Sequence, residues 1–138
     1  MEKRRKIAHL GIAVENIEEA FSFYKDLFQL EHWHDEEVVD QKVKTRFIEV
    51  GESHFELLEP TSPDSPIAKF IEKYGRGGIH HVCVDVDDVA SELKRMELLG
   101  YQLIDKEPRL GAHNCLVAFV HPKSTKGVLL ELSQRVPE

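Results

Sequence analysis

Two histidines and two glutamates stand out as residues able to do chemistry, because they recur in matched places. His9 opens His9-Leu10-Gly11-Ile12-Ala13-Val14, and His81 opens His81-Val82-Cys83-Val84-Asp85-Val86, 72 positions further on. Glu56 interrupts Phe55-Glu56-Leu57-Leu58, and Glu131 interrupts Leu129-Leu130-Glu131-Leu132, 75 positions further on. A carboxylate inside an apolar strand is costly to bury unless it is paired or bound to a cation. One imidazole and one carboxylate from each half suit a divalent metal such as cobalt, nickel, zinc, iron or manganese, with water or substrate completing an octahedron. An ion with open positions polarises a carbonyl, and a neighbouring carboxylate can then take a proton from the adjacent carbon.

The other polar candidates carry plainer readings. His32, His34 and His54 read as surface or hydrogen-bonding partner histidines. His80 alternates to the face opposite His81 and reads as structural, while Asp85 shares the His81 face. The acidic run Asp85–Asp88 reads as helix-capping residues. Cys83 and Cys115 have no CxxC spacing, so two thiols are expected and no disulfide framework.

The elements that must position these residues follow from periodicity. Residues Ile7–Val14 alternate as a strand, with Leu10, Ile12 and Val14 on one face and His9, Gly11 and Ala13 on the other. The second face leaves room for a ligand beside the histidine. Asn16 is an N-cap with Glu19 completing a capping box, and Ile17, Ala20, Phe21, Tyr24, Leu27 and Phe28 recur at helical spacing. Strands are expected within Glu31–Val39, over Val43–Val50 and over His54–Glu59, with Gly51-Glu52 as a turn. Ser65 and Pro66 start a short connecting helix that Gly75 ends. The second half repeats this grammar: a strand over Ile79–Val86, a cap at Asp87 or Asp88, and a helix through Val89, Leu93, Met96 and Leu99 ended by Gly100. Strands then follow over Tyr101–Lys106, Cys115–His121 and Val128–Gln134, with a loop at Pro108–Asn114 and a turn at Pro122–Gly127. The expected class is α+β: two βαβββ modules related by a pseudo-twofold, forming a cupped mixed β-sheet around a metal site. The expected organisation is a single domain over 1–138, with one module at about 5–60, a connector helix at about 64–75 and a second module at about 78–135.

Bulk properties narrow the function classes. The 138 residues suit one compact domain. The net charge of −7, from 25 acidic against 18 basic residues, argues against a general nucleic-acid surface. No apolar run reaches the roughly 18–20 residues of a membrane span, and the basic Met1–Lys6 stretch leads into a β-like segment, so the expected location is cytoplasmic.

Paired modules with these ligands resemble the vicinal oxygen chelate (glyoxalase) superfamily, and the chain is similar to the methylmalonyl-CoA epimerases. The resemblance rests on His9–Val14, Phe55–Pro60 with Ser62–Ala68, Gly78–His81, Pro108–His113 and His121–Leu132. The His121-Pro122-Lys123-Ser124 run before the last glutamate and the Gly111-Ala112-His113 loop are far more specific than the fold. The resemblance implies interconversion of (R)- and (S)-methylmalonyl-CoA by metal-assisted proton abstraction at C2 through an enolate. It puts the metal ligands at His9, Glu56, His81 and Glu131, where some members have glutamine at the Glu56 position. One divalent ion per chain is implied, cobalt first, with zinc, nickel, manganese and magnesium as other choices. The implied partner is a small-molecule acyl-CoA, and the implied assembly is a homodimer. Inversion at C2 needs two acid/base groups. Glu131 is one; the other stays open among Glu56, Glu49 and His113, because the third-strand glutamate of some relatives falls here on Thr45. A glyoxalase I-type lactoylglutathione lyase and a metal-free ligand-binding protein of the same fold are the alternative readings. An extradiol dioxygenase fits less well, because it would use a two-His, one-carboxylate iron site.

Overall fold

In the computed structural model, which describes residues 5–136, strands and helices alternate much as the periodicity requires. They are β1 (Arg5–Ala13), α1 (Ile17–Phe28), β2 (His34–Val38), β3 (Val43–Val50), β4 (Ser53–Pro60), α2 (Pro66–Tyr74), β5 (Gly78–Val86), α3 (Val89–Leu98), β6 (Arg109–Leu110), β7 (Cys115–Val120), α4 (Pro122–Thr125) and β8 (Leu130–Arg135). Two units form: an N-terminal unit of His9–His80, and a C-terminal unit of the chain from His81 onward together with the stretch through Ala8. No helix of the described residues is long and apolar enough to cross a membrane.

In the N-terminal unit the strands run in the order β2-β3-β4-β1. The first two pairings are antiparallel, and β1 lies parallel to β4 with Gly11 opposite Glu56. One face of this sheet is covered by α1. The Asn16 side chain accepts from the Glu19 amide at 3.0 Å, and Glu59 Oε1 accepts from the Ile17 amide at 2.7 Å, so two of the helix's orphan donors are satisfied. Gln29 then ends the helix in the left-handed region at φ 52°. Ile17 and Phe21 bury against Ile48 and Leu57. The opposite face is covered at one end only. There α2, capped by the buried Ser65, packs Ile67, Phe70 and Ile71 on Ala13, Val43 and Leu58. Lys42 and then Ser62 hold the Asp64 carboxyl down to about 2, fastening the loop that leads into α2. The other end of that face, with His9, His54 and Glu56, stays clear of α2's apolar cluster.

The C-terminal unit is built in the same way, with strands in the order β5-β8-β7-β6. Here β5 lies parallel to β8 with Cys83 opposite Glu131, and the remaining pairs are antiparallel. The Gly11–Glu56 pair of the N-terminal unit therefore recurs as Cys83–Glu131, at the two sequence offsets. Asp88 caps α3 by accepting from the Ser91 amide, and Val89 and Leu93 bury against Val86, Ala118, Val120 and Leu132. Glu92 on the same helix pairs with both Arg5 and Arg95.

The second module departs from expectation in one element. Tyr101–Lys106 is not a strand; only Leu103 bridges to Val120. A few backbone bonds remain, from the Ile104 and Asp105 amides to Phe119 O and from the His121 amide to Gln102 O, but side chains interrupt the ladder: Ser124 Oγ accepts from the Gln102 amide at 2.7 Å, and Asp105 Oδ2 accepts from the Phe119 amide at 2.8 Å. A segment bonded through side chains cannot extend a regular ladder. The edge strand is instead Arg109–Leu110, inside the stretch expected to be loop. The expected Pro122–Gly127 turn contains one helical turn, Pro122–Thr125, capped by the His121 side chain. Cys83 is a buried free thiol, and Cys115 is a half-buried one.

Candidate metal centre

Strand alternation decides which side chains share a face. In the N-terminal unit His9 and Gly11 on β1, His54 and Glu56 on β4, and Thr45, Phe47 and Glu49 on β3 point the same way, because directly paired strand residues do. The two small residues after His9 leave its imidazole uncrowded along its own strand. His9 Nδ1 lies 3.1 Å from Glu56 Oε2. His54 Nε2 lies 2.9 Å from the same oxygen, and the two imidazole rings stand 5.0 Å apart. Phe47, which is buried, packs its ring 5.7 Å from that of His54 and stands opposite Glu56.

The C-terminal unit holds the counterpart. His81 and Cys83 on β5 share a face with Glu131 and Ser133 on β8. His81 Nε2 lies 3.1 Å from Glu131 Oε1, and both side chains are about nine-tenths buried. Phe119, opposite Glu131, meets the His81 ring edge-on at 6.0 Å. It stands to Glu131 as Phe47 stands to Glu56, so the aromatic neighbour is repeated along with the His–Glu pair.

These donors fit a divalent ion. Two ligands about 2.1 Å from one ion and at right angles lie about 3.0 Å apart; each His–Glu pair measures 3.1 Å. Buried imidazole nitrogen with carboxylate oxygen is also the donor chemistry that first-row divalent metals take. Each unit sets a largely buried carboxylate against an imidazole, and a cation between them would offset the cost of burying that charge.

The remaining candidates are scattered. Glu49 lies opposite His54 but at the hairpin end of β3, where it is exposed. His113 sits in an exposed turn with left-handed backbone, φ 56°. Thr45 is buried in β3. Asp85 is buried on the His81 face, and His80 packs edge-on against Phe70, as a structural residue does. His54 proves to be a partner of Glu56 itself. Its signal was present in the sequence: two residues before Glu56 on a strand means the same face. The repeat hid it, because the position 75 residues on is Leu129.

On the other face of the N-terminal sheet, Arg46 forms a charge cluster with Asp35 and Glu18. Its Nε and Nη2 donate to Asp35 at 2.7 and 2.9 Å, and its Nη1 and Nη2 donate to Glu18 at 3.0 and 2.8 Å. The guanidinium also lies 4.5 Å over the Phe21 ring. These hydrogen bonds hold the Asp35 and Glu18 carboxyls below their ordinary range and raise Arg46 further still. The cluster binds β2, β3 and α1 together behind the His9 face.

Residues 8–119 match the family model described as Glyoxalase/Bleomycin resistance protein/Dioxygenase superfamily. The chain is 38% identical to the mitochondrial methylmalonyl-CoA epimerase of Dictyostelium discoideum over 130 residues, covering 94% of this chain and 78% of that one. The crystal structure of the Mycobacterium tuberculosis methylmalonyl-CoA epimerase superposes with a TM-score of 0.87 at 32% identity, covering 95% of this chain and 88% of that one. A methylmalonyl-CoA epimerase structure in complex with methylmalonyl-CoA and NH4+ gives 0.84 at 31% identity, over 95% and 94% of the two chains. The chain belongs to the Glyoxalase/Bleomycin resistance protein/Dioxygenase superfamily and, within it, to the methylmalonyl-CoA epimerase family.

Proposed function

We propose that this protein is a metal-dependent epimerase that interconverts (R)- and (S)-methylmalonyl-CoA. The observation that carries the reading is the pair of buried His–Glu sets, His9 with Glu56 and His81 with Glu131, at equivalent places in two equivalent strand pairs. A relative whose structure holds methylmalonyl-CoA supports the choice of substrate. His9, Glu56, His81 and Glu131 would hold one divalent ion, cobalt by preference, which supplies Lewis acidity to the thioester carbonyl.

The chain's own groups do the rest. C2 of a methylmalonyl thioester is flanked by two carbonyl carbons, so its hydrogen is acidic enough for a carboxylate to remove. Glu131 takes that proton: the C2–H bond breaks, its electron pair passes toward the thioester carbonyl, and a carboxyl O–H forms. A proton then returns to the other face of C2, and the opposite epimer results. Phe47 and Phe119 flank Glu56 and Glu131 with apolar surface and keep water from competing for the proton. His54, with Nε2 2.9 Å from Glu56 Oε2, helps to hold that carboxylate in place.

The direct test is conversion of pure (R)-methylmalonyl-CoA to the (S) epimer, with hemithioacetal isomerisation assayed on the same sample. Epimerisation without hemithioacetal turnover is the expected result. Hemithioacetal turnover alone would transfer the assignment to a lactoylglutathione lyase. Elemental analysis of protein purified without chelator should find about one divalent ion per chain.

A further inference from the structure

Inversion at a carbon needs a proton removed from one face and another delivered to the opposite face, so an epimerase of this kind uses two acid/base groups. Glu131 is one in the reading above. The His9-bearing face of the N-terminal sheet carries three carboxylates that could be the other: Glu36, Glu49 and Glu56. Glu56 Oε2 already faces both His9 and His54. Glu49 is exposed at the strand end.

Glu36 is differently placed. It pairs directly with Thr45, so both point to the His9 face, and the short threonine leaves the space beside it to the longer side chain. Its Oε2 is shielded from solvent. His34, stacked on Phe47 at 5.6 Å, brings Nε2 to 3.8 Å from Glu36 Oε1. Two strand spacings, about 10 Å, separate β2 from β4, so Glu36 stands apart from the His9–Glu56 pair while sharing its face.

Two further features single out this position. A one-residue slip of β2 would carry Glu36 to the wrong face. The neighbouring Asp35 prevents it, because it is locked to buried Arg46 by two hydrogen bonds. The internal repeat also breaks here. The ladder Glu56–Phe47, Thr45–Glu36 corresponds to Glu131–Phe119, Val117–Arg109 in the C-terminal unit. Arginine stands where the N-terminal unit has Glu36, so the edge carboxylate belongs to one module alone.

We infer that Glu36 is the second catalytic acid/base, exchanging the proton on the face of C2 opposite to that served by Glu131. The inference rests on the epimerase reading and adds a residue to it. The test compares wild type with Glu36→Gln in D2O, starting from each pure epimer. Epimerisation and deuterium entry at C2 are followed separately. The expected result is a loss of epimerisation of about 10²-fold or more, while one epimer still takes up deuterium within about tenfold of the wild-type rate and the other does not. The exchanged double variant Glu36→Thr/Thr45→Glu, which moves the carboxylate to the facing strand, should recover part of the lost epimerisation. If Glu36→Gln epimerises within tenfold of wild type, or loses exchange from both epimers equally, Glu36 is not the second base and the epimerase reading stands. If the wild type itself neither epimerises nor exchanges, the reading falls and Glu36 with it.

Discussion

Replacing Arg46 with methionine tests how the N-terminal unit holds its site. Only 5% of the Arg46 side chain is exposed, yet it faces two carboxylates. The Asp35 side is a two-bonded, charge-assisted contact with Asp35 about a third exposed; such a contact is worth about 2 kcal/mol. The guanidinium over Phe21 adds about 1 kcal/mol. Glu18 is mostly in water and is left out of the sum. Methionine keeps the apolar contact with Phe21 and Trp33, so the expected loss for Arg46→Met is about 2–3 kcal/mol. In a chain of this size that lowers the melting temperature by roughly 6–10 °C. The loss should depend on pH with a definite sign. Asp35 and Glu18 have folded-state values below their ordinary ones. Their stabilisation is therefore complete above the unfolded carboxyl values, about 3.9–4.3, and fades as pH falls through the depressed folded values. The gap between wild type and Arg46→Met should be full at pH 6–8 and should close on acidification below about pH 4. Thermal melts of both proteins across that range measure it, and a double-mutant cycle with Asp35→Asn isolates the pair. A gap under about 0.5 kcal/mol at pH 7, or one that widens in acid, would refute the reasoning.

Other perturbations give equally definite outcomes. Glu131→Gln should reduce epimerisation by about 10²-fold or more, whereas Glu56→Gln, which keeps an oxygen donor, should stay within about tenfold of wild type; turnover assays on the purified variants decide. Chelation should abolish activity, and added cobalt should restore it. Cobalt at about 100 times its dissociation constant should also stabilise the apo-protein by about 2.7 kcal/mol, read as a rise in melting temperature. A Cβ at Gly77 would lie 2.2 Å from the Ala13 carbonyl oxygen, so Gly77→Ala must move backbone and should cost about 2–3 kcal/mol in a denaturant melt. Gly51→Ala meets no atom within 4 Å and should cost only about 1 kcal/mol, for its positive φ.

The internal repeat makes most of the candidate ligand set legible in the sequence. Matching the two offsets predicted that Glu56 and Glu131 would hold equivalent places, and the registers Gly11–Glu56 and Cys83–Glu131 bear that out. Asn16, Ser65 and Asp88 announced their helices because a cap is a local hydrogen bond between residues two or three apart. Features resting on distant partners were not visible. Arg46 lies in an apolar strand, and its partners Glu18 and Asp35 belong to other elements. His54 reads in the sequence only as a surface or partner histidine, since the repeat has no counterpart to it, and the structure makes it a partner of Glu56. Glu36 gives no signal in the sequence, because its place depends on pairing with Thr45 on the neighbouring strand. The Tyr101–Lys106 strand fails for a related reason: Ser124 and Asp105 side chains interrupt the backbone ladder, and periodicity does not see such interruptions.

The central claim is that two His–Glu sets serve proton exchange at C2 of methylmalonyl-CoA. Its most direct measurement is proton NMR of the C2 hydrogen in D2O, with cobalt-loaded protein and with the same protein after chelation. The account predicts loss of the C2–H signal with the loaded protein, at least about 10²-fold faster than with the stripped one, and recovery when cobalt is returned. Exchange no faster than in buffer, or equally fast with and without metal, would contradict it.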